Sequence, residues 1–242
     1  MRFDRFVAGV KDLTVAAYLV CTAGICSAGT SSLTATSTIP TLSCGPIRDA
    51  NFQGGGAMDY RLRFSDSRVR DGIALVDRNH TDLARDEARS NPTNVSNLAN
   101  LDFTLRYSPN HLDALRQLIA YTKAGGKFLK FDPLDCYLEW ARQFAPDDVS
   151  VLQIEAVYLW KAGDLDQAEQ LFLQALRAEP NSVELHYNAG LYYLARKQYG
   201  KAQEHARFAY DNDYPLPGLR NGLKRAGQWT LTPESKNREI TK

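Results

Sequence analysis

The chain has 242 residues, with 29 Lys and Arg against 28 Asp and Glu, so its formal charge is +1. An apolar fraction of 44% and a charged fraction of 24% fit one or two globular domains and exclude wholesale disorder. The balanced charge argues against nucleic acid as the main partner, and no run of eighteen apolar residues offers a membrane-spanning helix.

Arg2, Arg5 and Lys11 precede a charge-free run of 13 residues, Leu13 to Ile25, and small residues follow at Cys26-Ser27-Ala28. That run has the length of a signal-peptide core and is short for a bilayer span. Residues 1–28 are therefore expected to be a signal peptide cut after Ala28, which places the protein in the periplasm or outside the cell. The other reading is an uncleaved amphipathic anchor, with membrane contact confined to this end. From Ser27 to Ser43 there are ten Ser or Thr in 17 residues, and Gly54-Gly55-Gly56 follows. Residues 29–66 are expected to form a flexible arm. Cleavage leaves two cysteines, Cys44 and Cys136. In an oxidising compartment such a pair is a candidate disulfide; the alternative is that Cys136 is a small buried core residue.

The remainder repeats. Pro109, Pro146, Pro180 and Pro215 are 37, 34 and 35 residues apart, a spacing that points to stacked structural units. Ahead of Pro180 stand Ala168, Phe172 and Ala175. The same spacing gives Leu134, Leu138 and Ala141 ahead of Pro146, and Ala202, Ala206 and Ala209 ahead of Pro215, with the proline one place late and Tyr214 in the expected slot. Ahead of Pro109 it gives a degraded copy, Asn97, Leu101 and Thr104. Upstream, Gly190 precedes Ala202 by the interval that separates Ala156 from Ala168, and Tyr193 matches Leu159. Small residues let paired helices approach, larger ones fill the gap, and each proline ends a second helix. Ala162-Gly163-Asp164 reads as the turn inside a pair.

The run Glu184 to Tyr193, and Gln198-Tyr199-Gly200-Lys201-Ala202 after it, resemble the two helices of the tetratricopeptide repeat family. The resemblance implies an all-α, right-handed superhelical array of antiparallel helix pairs. Residues 149–182 and 183–215 are expected to be repeats and 112–148 a repeat with three extra residues; Ile119 is bulkier than the small residue the family has there. Residues 67–111 are expected to be a diverged repeat broken at Asn91-Pro92, 216–230 a capping helix and 231–242 a disordered tail. The signature residues are Ala156, Ala168, Phe172, Ala175, Pro180, Gly190, Tyr193, Ala202 and Ala209. The run Tyr214 to Leu219, with Cys44-Gly45 and Asp135-Cys136-Tyr137, further resembles small exported bacterial members of the family, which implies that Cys44 and Cys136 are bonded.

First helices of such arrays line a concave groove that grips extended partners. The family's groove positions fall here on Asp113, Arg116, Gln117, Lys123, Gln153, Trp160, Lys161, Tyr187 and Asn188, a mix suited to a peptide; Trp160 and Tyr187 read equally well as packing between repeats. No phosphate-binding loop, nucleophile elbow or paired-cysteine metal spacing is present, so no enzyme activity, cofactor or metal is expected. Asp77, His80, Asp82 and Asp86 are the best ligand cluster, but they read more simply as a solvated helix start with Thr81 as a cap. His186 is expected to face inward and His205 to face solvent. Asn94-Val95-Ser96 matches a glycosylation acceptor, by chance in a bacterial host. The expected function is an exported, non-enzymatic adaptor that holds a protein partner during assembly of an envelope or secretion system. The alternative is an accessory subunit of an envelope enzyme complex, for polysaccharide export or cytochrome maturation.

Overall fold

Several helices in this chain begin where a polar side chain satisfies the first free backbone N–H groups, at Asp66, Asn94, His111, Asp148 and Asp164. The computed structural model describes residues 44–46 and 56–230, all within a unit of residues 42–242. Helix α1 (Ser67–Val76) starts at Asp66, whose carboxylate accepts from the N–H groups of Arg68 and Val69. A π-type turn, Asp77–Thr81, carries it without a break into α2 (Asp82–Ser90). Asn94 caps α3 (Val95–Tyr107), which packs against α2. The pairs α4 (Leu112–Lys123) with α5 (Leu134–Phe144), α6 (Val149–Ala162) with α7 (Leu165–Ala178) and α8 (Val183–Ala195) with α9 (Tyr199–Asp211) follow. Finally α10 (Gly218–Arg225) packs on α8 and α9. The result is an all-α array of successive helix pairs, with no strand among the described residues.

Local chemistry sets the turns. Gly163 ends α6 at φ 99°, a left-handed conformation that favours glycine, and Asp164 then caps α7 through the N–H of Gln167. The longer α4–α5 connection is held by Tyr121, whose hydroxyl donates to the Lys127 carbonyl at 2.9 Å and whose ring meets Phe128 edge-on.

The core follows the proline-anchored spacing. Ala168, Phe172, Ala175, Ala202, Ala206 and Ala209 have no exposure, and Leu134, Leu138, Ala141, Asn97, Leu101 and Thr104 are buried as well. Thr104 stands where the other copies have alanine. Its hydroxyl donates to the Asn100 carbonyl and lies 3.1 Å from the Thr81 hydroxyl, so the polar atom is satisfied. Thr81 is thus an interior bond partner, not the helix cap expected, because the π-type turn keeps the helix running through it.

Part of the arm is docked. Residues 58–64 were expected to be flexible, but the N–H of Met58 donates to the Tyr107 carbonyl and that of Tyr60 to Asn110 Oδ1, both at 2.9 Å. Fully buried Asn110 also donates to Asp59 at 2.7 Å and to Asp148 at 2.9 Å. One amide therefore joins the arm, the α3–α4 turn and the start of α6. Asn110 gave no sign of this role in the sequence, since its partners are far along the chain. Cys44 and Cys136 form a disulfide, with Cα atoms 5.2 Å apart. Beside it, Trp140 Nε1 donates to the Gly45 carbonyl at 3.1 Å. The expected signal peptide (1–28), the Ser/Thr-rich part of the arm (29–43), residues 47–55 and the tail (231–242) lie outside the described residues.

Candidate protein-interaction surface

Residues spaced by three or four share a helix face, and three first helices turn such faces toward one another. Helix α4 contributes Arg116, Ile119 and Lys123; α6 contributes Gln153, Ile154, Val157 and Tyr158; α8 contributes Glu184 and Asn188. Together they line a cleft of about 320 Å³. Its floor is apolar and its rim is polarised. Arg116 and Lys123 are exposed on the α4 side, and neither takes part in an ion pair among the described residues. Across from them Glu184 accepts from Gln153 Nε2 at 3.2 Å. The Tyr158 hydroxyl donates to Asp135 at 3.2 Å, and burial with the Asp135 charge raises its pKa, so it stays a donor. Exposed guanidinium and ammonium groups beside an apolar floor can bind an extended chain by carboxylate pairing and side-chain burial.

Of the residues singled out in the sequence, Arg116, Lys123, Gln153 and Asn188 meet in this cleft. The others lie elsewhere. Gln117 turns toward α2, donating to the Thr81 carbonyl at 3.2 Å and to Asp113 at 3.1 Å, while Asp113 pairs with Arg85. Trp160 packs on the core and meets Tyr192 edge-on at 6.0 Å, with Lys161 Nζ 3.5 Å from its ring centre. Tyr187 is buried against Tyr214, with ring centres 4.4 Å apart. These large rings fill gaps between neighbouring elements, which leaves them little surface to offer a ligand. Sequence reasoning missed Ile154, Val157, Tyr158 and Glu184; all sit one position or one turn from a residue it chose.

The Asp77 cluster is dispersed. His111, fully buried, accepts at Nδ1 from the Ala114 N–H at 3.3 Å, so its Nε2 carries the proton donated to Asp77 at 2.9 Å. Nδ1 caps the start of α4 and Nε2 is tied to Asp77 of the π-type turn, which leaves neither free as a base. His80 bonds Asn100 at 3.0 Å and stacks on Phe103. Asp82 and Asp86 pair with Arg85 and Arg89. Among the described residues no group of three or more His, Cys, Asp or Glu is placed to hold a metal ion, and no helix is long and apolar enough to cross a membrane. Asn94 uses its side-chain oxygen to cap α3 at the Ser96 N–H.

His205 corrects an expectation. It does not simply face solvent: its ring lies parallel to Tyr193 and its Nδ1 lies 3.0 Å from His186 Nδ1. Burial, with His186 and Lys201 nearby, lowers its pKa to about 4. The reason is Gly190, which brings α9 close enough to α8 to cover the ring.

The tetratricopeptide repeat family model matches residues 171–204, from Leu171 in α7 through α8 to Glu204 in α9. The chain carries a tetratricopeptide repeat. No curated protein and no solved structure matches it. Such a repeat is a protein-interaction module, and the helix-pair array around it extends the same architecture on both sides of the matched stretch. All-helical tetratricopeptide arrays serve typically as scaffolds for a protein partner rather than as enzymes.

Proposed function

We propose that the protein is a non-enzymatic scaffold that holds an extended segment of a partner protein against α4, α6 and α8. The observation that carries this reading is the cleft itself, where Arg116 and Lys123, without an ion pair among the described residues, border a floor of Ile119, Ile154 and Val157. The scaffold acts outside the cytoplasm, in assembly of an envelope or secretion system. The charge-free run after Arg2, Arg5 and Lys11 and the Cys44–Cys136 bridge support export to an oxidising compartment.

A photo-cross-linking residue at Gln153 tests the surface in the native host. It is expected to give one dominant protein adduct, absent when the cross-linker replaces Arg177 on α7. The adduct should be lost from Arg116→Ala/Lys123→Ala protein that retains its helical content. An adduct that survives the double substitution overturns the cleft as the binding surface. Intact mass with thiol alkylation tests export, which predicts loss of the first 28 residues and no alkylation.

A further inference from the structure

The cleft between α4, α6 and α8 carries its charges at opposite ends. On α4, Arg116 and Lys123 are exposed and line it; on α8, Glu184 is exposed and lines it from the first helical turn. Glu184 accepts from Gln153 Nε2, and no cation pairs with it among the described residues. A neutral amide leaves the carboxylate charge in place, so the cleft is cationic at one end and anionic at the other.

Two lengths follow from the helices that build it. Helix α6 packs on both α4 and α8, and packed helices lie about 8–10 Å apart. The cationic and anionic ends are therefore about 16–20 Å apart, which an extended chain crosses in about five or six steps of about 3.3 Å. Between the ends lies the floor of Ile119, Ile154 and Val157, in a volume of about 320 Å³. An apolar cavity of about 150 Å³ holds one benzene ring, so this one seats two apolar side chains. Alternate side chains of an extended chain point the same way. A stretch of seven residues therefore turns four side chains to the cleft, the outer two about six steps apart.

We propose that the cleft binds a seven-residue extended segment of the partner, with an acidic side chain at the α4 end, a basic one at the α8 end and two apolar ones between them. The acidic side chain pairs with Arg116 or Lys123 and the basic one with Glu184, while the floor covers the apolar pair. A segment acidic at both ends brings like charge to Glu184, and one basic at both ends brings it to Arg116 and Lys123. The apolar pair supplies contact area, and the two ends decide which segments are refused. This inference rests on the partner-binding reading of the same cleft and adds the chemistry of the segment.

The full chain is titrated with four synthetic heptapeptides, acetylated and amidated so that their termini are neutral. All share the middle Ser-Leu-Ser-Leu-Ser. Two carry Glu and Lys at the ends, in either order; one carries Glu at both ends and one Lys at both. Backbone amide NMR signals of Gln153, Val157 and Asn188 report binding. The better mixed-charge peptide, whose order gives the chain direction, is expected to bind at least about threefold more tightly than either single-charge peptide, the modest factor that exposed ion pairs give. Glu184→Lys is expected to make the doubly acidic peptide the tightest. If that variant loses helical content, Glu184→Gln is expected to bring the doubly acidic peptide level with the mixed one. Equal binding of the mixed and doubly acidic peptides to the unaltered chain, or a preference that both Glu184 substitutions leave unchanged, overturns the proposal. No binding of any peptide while the Gln153 adduct forms in the host overturns the charge pattern and leaves the partner reading standing. The expected binding without a Gln153 adduct supports the charge pattern and overturns the scaffold reading.

Discussion

Nδ1 of His205 lies 3.0 Å from Nδ1 of His186, and a single proton must sit between them. His186 Nε2 faces the Pro180 carbonyl at 2.9 Å and so carries a hydrogen, which makes its Nδ1 the acceptor and His205 the donor. A second proton on His205 would put charge in a half-buried slot beside Lys201, and its pKa falls to about 4. The unfolded chain takes up that proton near the ordinary 6.5, so stability present above pH 6.5 is lost as the pH falls toward 4. Urea unfolding between pH 4 and 7 is expected to show this decline, and His205→Gln to flatten it.

Glu155 tilts the balance the other way. It is 5% exposed, and burial raises its pKa to about 7 although Arg142 Nε stands 2.7 Å away. The contact is close but misaligned, since neither Arg142 Nε nor Glu155 Oε2 makes a directional hydrogen bond. The guanidinium therefore does not offset the desolvation. The folded state holds a proton that the unfolded state releases from about pH 4.5, so stability is full below that pH and falls as the pH rises through 7. Glu155→Gln is expected to remove this loss, on the order of 2–3 kcal/mol at pH 8, measured by the urea midpoint at pH 5 and pH 8.

Gly190 and Gly200 make opposite predictions. A Cβ at position 190 would collide with Leu219 of α10 and lie 3.3 Å from the His205 Cβ, whereas nothing lies within 4 Å of one at position 200. Gly190→Leu is expected to destabilise by about 1–3 kcal/mol or more. Gly200→Ala, in open space at the start of α9, is expected to stabilise by up to about 1 kcal/mol. Thermal melting of the two variants side by side checks both signs.

Reduction of the Cys44–Cys136 bridge frees a loop with a sequence separation of 92. Chain-entropy arguments put the loss at about 4.6 kcal/mol as an upper figure. The Trp140 indole, released from the Gly45 carbonyl, is the local reporter. Its fluorescence is expected to shift to the red on reduction, as it is in Cys44→Ala/Cys136→Ala without reductant.

The fold was legible because packing repeats. Ala168, Phe172 and Ala175 carry a spacing that recurs ahead of each proline, and even the degraded copy at Asn97, Leu101 and Thr104 is buried. The site was legible where position alone decides, as for Arg116, Lys123, Gln153 and Asn188 on first-helix faces. It was not legible for Trp160 and Tyr187, because a large ring settles into whatever gap its neighbours leave. His80 and Thr81 were misjudged because the π-type turn adds a residue to the helix and rotates everything after it. No local pattern announced that turn.

The bridge also sets how the molecule responds to force. Cys44 and Cys136 are far apart in sequence but adjacent in space, so a pull on the chain ahead of Cys44 enters α5 directly through sulfur. Helices α1 to α4 sit outside that load path and stay slack. Only the chain from α5 onward can be unreeled, which makes the front of the array mechanically silent while its oxidised state lasts.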